Sequence, residues 1–111
     1  MGITFISGPM TGYPNFNYPA FHEVGEYLKS RGERFLSPAH GRFGHPRTAP
    51  APDEAKPWEF YMRESIKQLM LCDRILMLPG WSNSEGAWLE RDLAKNLGMR
   101  IEYWSMTFSD S

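Results

Sequence analysis

The chain is 111 residues long, 41% hydrophobic and nearly neutral, with a formal net charge of -1. That suffices for one domain with one modest core, and it argues against disorder, a nucleic-acid stripe or a membrane-surface patch. No apolar run approaches a membrane span and no signal peptide opens the chain, while the lone Cys72 excludes an internal disulfide and fits a reducing compartment, so a cytoplasmic protein is expected.

Ile3–Ser7 (ITFIS) is a short β-rich run and the predicted first strand. Gly8-Pro9-Met10-Thr11-Gly12 follows it as a loop, whose glycines let backbone N–H groups approach an anion. Alone this is weak, being neither a G-x-G-x-x-G nor a Walker A loop. Asn17 is placed to cap a helix with Pro19 in its first turn. Ala20–Arg31 is that helix, with Phe21, Val24 and Leu28 as its buried stripe and Gly32 as its stop. Arg34–Ser37 is a second short strand.

Pro38 to Pro57 breaks the pattern. It holds five of the nine prolines, and no period of 2 or 3.6 survives in it. A connection this long is a functional flap or a disordered segment, and a mobile lid is expected. Arg42 and Arg47 supply cations able to meet a phosphate, and Phe43 a ring able to stack on a base. His40 and His45 lack a third ligand at standard spacing, so no metal site is expected. No cofactor is expected either.

Trp58–Cys72 is the second helix, with Met62, Ile66 and Leu69 facing the core. Asp73 follows, either capping that junction or acting in catalysis. Arg74–Pro79 is the third strand, an apolar run suited to burial on both faces. Ser82-Asn83-Ser84-Glu85 has the S-x-x-E spacing of a capping box, so a third helix starts there and stops at Gly98. Arg100–Trp104 is the fourth strand, and 105–111 a polar tail.

Alternating short strands and helices predict an α/β fold of small Rossmann or flavodoxin-like type. Its parallel sheet has order 2-1-3-4 with helices on both faces, in one domain spanning residues 1–111. The crevice between the C-terminal ends of strands one and three is then the ligand-binding switch point, onto which the loops 8–12 and 79–86 open.

One residue breaks the third helix's pattern. At about 100° per residue, Glu90 falls among Gly86, Ala87, Leu89, Leu93, Ala94 and Leu97 within one arc of roughly 160°. Desolvating a carboxylate costs several kcal/mol, so Glu90 is either salt-bridged under the helix or a site carboxylate at the sheet edge. The helix N-terminus with the Ser84 hydroxyl suits a phosphate, and Glu90 lies about 9 Å further along the axis. That spacing suits a 5′-phosphate at the helix start and a carboxylate at the sugar's anomeric carbon. Glu85 has a simpler role, capping its own helix.

ISGPMTGYPNFNYPAF, together with LPGWSNSEGAWLE followed by Ala94, resembles the small phage and bacterial proteins of the DUF4406 family. These belong with the nucleoside 2-deoxyribosyltransferase-like superfamily, which includes deoxynucleoside 5′-monophosphate N-glycosidases. The resemblance covers most of the chain outside Pro38–Pro57. It implies that Glu90 is the nucleophile, that Ser84 binds phosphate, and that Gly8, Pro9 and Met10 line the sugar and phosphate. Gly86 belongs to the same motif and is expected at the substrate. The superfamily's base-protonating aspartate falls on Ser65, a departure that leaves Glu64 or Asp73 to substitute, a base that departs without an acid, or a protein that only binds. The implied activity is cleavage of a (deoxy)nucleoside 5′-monophosphate through a glycosyl-Glu90 intermediate, with base exchange and non-catalytic nucleotide binding as alternatives. No polymeric nucleic acid or membrane partner is expected. Fourteen per cent aromatic content suggests rings at a pocket or subunit interface, and a homo-oligomer through Trp58, Tyr61, Met62 and Met70 is expected.

Overall fold

The computed structural model describes residues 2–105. Most of the tail expected at 105–111 therefore lies outside the described residues. Four strands, β1 (Ile3–Ser7), β2 (Arg34–Leu36), β3 (Arg74–Met77) and β4 (Arg100–Tyr103), alternate with three helices, α1 (Tyr18–Ser30), α2 (Trp58–Leu69) and α3 (Glu85–Asn96). Every strand pair is parallel and the order is β2-β1-β3-β4, as the alternation predicted. Phe5 stands opposite Ile75 and Ser7 opposite Met77, which brings the C-terminal ends of β1 and β3 side by side.

The pleat sorts the strand residues into two cores. Ile6, Leu76 and Leu78 point to one face and pack against Phe21, Val24 and Leu28 of α1. Phe5, Ile75 and Met77 point to the other and meet Leu69 of α2 with Ala87 and Ala94 of α3. The result is three layers around a sheet buried on both sides. Truncating a wholly buried ring such as Phe5 would cost about 3–5 kcal/mol.

At the N-terminal edge, Arg74 donates to Thr4 Oγ1 (2.8 Å), Glu102 Oε1 (3.0 Å) and Glu33 Oε1 (2.7 Å), tying three strands and the α1–β2 turn together. Asp73 belongs to this edge, where its carboxylate accepts from the Ile3 amide at 2.9 Å.

Several local expectations shift. The helix after the first loop begins at Tyr18, and Asn17 occupies its cap position with φ 62, so its side chain bonds Pro9 O (2.9 Å) instead of the helix. The third helix is capped by Ser84, not by the Ser82 box, because Gly80 (φ 85) leads into a turn over Trp81–Asn83 that uses up Ser82. Glu85 is the first residue inside that helix, and no reciprocal capping bond forms. Leu89 and Leu97, expected in the apolar arc, are exposed; the helix packs instead through the small residues Gly86, Ala87 and Ala94.

The 38–57 connection is tied down in its first half. His40 bridges Pro46, Arg47 N donates to Ala39 O at 2.8 Å, and the buried His40 ring meets Ser37 Oγ at 2.5 Å. Residues 51–57 are exposed throughout.

Candidate active site

β1 ends in Ser7 and Gly8, and the chain then turns toward α1. Phe5 and Ser7 share the sheet face covered by α3, so the Ser7 hydroxyl points at that helix. It donates to Glu90 Oε1 at 2.5 Å. Glu90 is 5% exposed, and among the described residues no basic side chain pairs with it. The salt-bridge reading of Glu90 therefore falls. Burial pushes its carboxyl up from 4.5 to about 7, against hydrogen bonding from Ser7 and Ser65 that favours the charged form. Ser65, on α2, is itself 4% exposed.

Glu90 and Ser65 line a cleft of about 210 Å³ at the C-terminal edge of the sheet, and Ser7 supports Glu90 from β1. One wall is the loop after β1, with Gly8, Met10, Thr11 and Phe16. Asn15, Phe16 and Asn17 carry φ of 52, 52 and 62, a left-handed run that costs roughly 1–2 kcal/mol per residue and sets Phe16 on the cleft wall. The opposite wall is α2, with Trp58, Tyr61 and Met62. A Cβ at Gly86 would stand 2.9 Å from Met62 Sδ, so the glycine permits the close approach of α3 to α2. Tyr18 completes the ring of aromatics, its phenol raised above 10 by burial with Arg47 nearby opposing.

The start of α3 opens on the same cleft. Ser84 Oγ accepts from Ala87 N at 3.2 Å, and its hydroxyl proton is left to donate. The first N–H groups of the helix have no intrahelical partner and face the site with the positive end of the dipole. The connection from β2 contributes Pro38, Pro50 and Lys56.

Of the residues predicted for the site, Glu90, Ser84, Gly86, Gly8 and Met10 line the cleft together. Pro9 lies just behind it, buried, with its carbonyl held by Asn17. Glu64 points to solvent and pairs with Lys67 at 3.2 Å, because Ser65, one residue on and about 100° round the helix, takes the inward position. Asp73 sits at the opposite edge, since a residue preceding a parallel strand cannot reach the edge where the strand ends. Arg42 and Arg47 are exposed and off the cleft wall; Lys56 is the cation that reaches it. Ser7, Tyr18, Trp58 and Lys56 were not anticipated at the site. The two-residue period of β1 contained the signal for Ser7, whereas nothing local marks Lys56.

A parallel sheet of order β2-β1-β3-β4 covered by helices on both faces, with a cleft at its switch point, defines a three-layer α/β protein. In the solved structures, a 2-desoxiribosyltransferase from Leishmania mexicana shares the fold, with a TM-score of 0.65 at 17% identity over 95% of this chain. This chain spans 65% of that enzyme's length. The chain belongs to the DUF4406 family, described as a domain of unknown function, whose model matches residues 3–103. No curated protein matches it. Among the described residues, no helix is long and apolar enough to cross a membrane.

Proposed function

We propose that this cleft binds a (deoxy)nucleoside 5′-monophosphate and that Glu90 attacks its anomeric carbon, cleaving the N-glycosidic bond. The observation carrying this reading is Glu90 itself: a buried carboxylate, paired with hydroxyls and no cation, on the floor of a cleft that the start of its own helix also lines. Its raised pKa keeps a useful ionised fraction near neutral pH while leaving it a better nucleophile than an exposed carboxylate. Ser84 and the free N–H groups of α3 hold the phosphate, with Lys56 as counter-charge. The cleft is small beside typical ligand pockets of about 300–1,000 Å³, which favours a single nucleotide over a dinucleotide.

In the first half-reaction, Glu90 forms a glycosyl ester as the base departs. Water resolves the ester to the free sugar phosphate. A second base resolves it by exchange, a reading favoured by the fold shared with a 2-desoxiribosyltransferase. Separating released base by chromatography across a nucleoside monophosphate panel, with and without an acceptor base, tests both. Base release lost in Glu90→Ala, with a glycosyl adduct on Glu90 seen by mass spectrometry, is the expected result. Near-normal turnover by Glu90→Ala refutes the covalent route, and binding without any turnover leaves a nucleotide-binding protein.

A further inference from the structure

Cleaving a glycosidic bond to a neutral base leaves an anion on nitrogen unless an acid protonates it. A positioned general acid is worth about 10²–10⁴-fold, and works best when its pKa is near the operating pH. Among the described residues lining the cleft, Glu90 is the one carboxyl, and there is no histidine. Glu90 must be ionised to attack and cannot also be that acid. The remaining ionisable groups on the wall are the phenols of Tyr18 and Tyr61 and the ammonium of Lys56. Burial makes the Tyr18 phenol a weaker acid than usual, the Tyr61 hydroxyl is held by the Lys56 amide at 2.9 Å, and the Lys56 ammonium is the counter-charge of the phosphate. Ser65, facing Glu90 from α2, is a hydroxyl too weak to serve.

The walls have a second character. Phe16, Tyr18, Trp58 and Tyr61 present aromatic rings, and Met10 and Met62 add polarizable sulfur. Aromatic faces and thioether sulfur attract a desolvated cation. A cation held between these rings and the buried carboxylate would also favour the ionised form of Glu90.

We propose that the substrate class is a nucleotide whose base is already cationic at the glycosidic nitrogen, an N-ribosylpyridinium 5′-phosphate, so that the base leaves neutral and no acid is needed. This rests on the N-glycosidic reading above. A Glu90 oxygen forms a bond to the anomeric carbon as the carbon–nitrogen bond breaks. The bonding pair passes to the ring nitrogen and cancels its positive charge, and a neutral pyridine departs with no proton transferred. Water then attacks the same carbon, the pair of the ester bond returns to Glu90, and one water proton passes to solvent. Ser84, the α3 N-terminus and Lys56 hold the phosphate.

The test uses nicotinamide mononucleotide as the pyridinium probe against AMP, CMP, dAMP and dCMP, comparing kcat/KM for base release. The pyridinium nucleotide should exceed the best neutral base by about 100-fold or more, the size of the missing acid effect. Glu90-dependent turnover of a neutral-base monophosphate at equal or greater efficiency overturns this inference and leaves the N-glycosidic reading standing. No base release from any probe, with no adduct on Glu90, removes both. Two further measurements bear on the missing acid. In Ser65→Asp, a carboxyl supplied to the wall should narrow the preference by roughly tenfold or more; an unchanged ratio in a folded variant overturns the argument. On the unaltered chain, substituted pyridinium nucleotides should react more slowly as the departing pyridine becomes more basic. A rate independent of that basicity contradicts departure without an acid.

Discussion

Glu90→Gln removes the buried ionisable group while keeping its volume, and its effect on folding can be measured without any substrate. The Glu90 carboxyl rises from 4.5 to about 7 on folding. At about 1.36 kcal/mol per pKa unit, that is roughly 3 kcal/mol of unfavourable work in ionising it inside the protein. The sign follows from proton counting. Between 4.5 and 7 the folded state holds the proton more tightly than the unfolded chain, so this group's stabilising contribution is full below 4.5. It is lost as pH rises through 7. His40 titrates in the same range with the opposite sense, since burial lowers it to about 4. Both proteins carry His40, so its contribution cancels in the difference. Tyr18, raised by burial above its ordinary 10, stays protonated throughout. Urea unfolding of the unaltered chain and Glu90→Gln from about pH 5 to 8 gives the comparison. The stability advantage of Glu90→Gln should grow by roughly 3 kcal/mol across that interval, an increase of about 1–3 M in relative urea midpoint. A difference that stays constant with pH would falsify the buried, raised carboxylate on which the proposed chemistry depends.

The other predictions concern the shell around Glu90. Ser7→Ala removes a charge-assisted hydrogen bond worth about 1.5–3 kcal/mol, so the acidic limb of the pH–rate profile should move upward by roughly one to two pH units; an unmoved limb separates Ser7 from the titration. Ser84→Ala should cost about 0.5–2 kcal/mol of stability through the lost helix cap, and should raise KM for a monophosphate more than for its nucleoside; equal effects on both would remove the phosphate from this end of the cleft. Hydrogen exchange should be slow at Gly41 and Arg47, whose amides are bonded across the His40–Pro46 bridge, and fast over 51–57 until nucleotide binds; unchanged protection at saturating ligand would mark the segment as a connector only. Of the expected interface residues, Tyr61 and Met62 line the cleft instead, while exposed Trp58 and Met70, joined by Phe60, fit a self-association surface; light scattering should give a dimer or larger at micromolar concentration, with a monomer rejecting that expectation.

Much of this arrangement was legible before any coordinates. The order of strands follows from alternating elements and right-handed crossovers, because a parallel sheet of four short strands has few alternatives. Glu90 was marked by its own anomaly, a carboxylate at a position where the helical period demands burial. Ser84 followed from its place before an apolar helix, although the capping spacing pointed two residues too early. Other features depended on packing. Gly86, Ala87 and Ala94 let α3 lie close to the sheet, leaving Leu89 and Leu97 outside, and hydrophobicity alone ranks these the other way. Glu64 and Ser65 differ by one step on α2, and which of them faces Glu90 is decided by helix rotation against α3. Lys56 enters the cleft from a segment with no period at all, so only the closed chain places it there. Sequence patterns report which face of an element prefers burial. The groups that share a small cleft come from β1, α2, α3 and a long connection, and their meeting is a property of the three-dimensional packing.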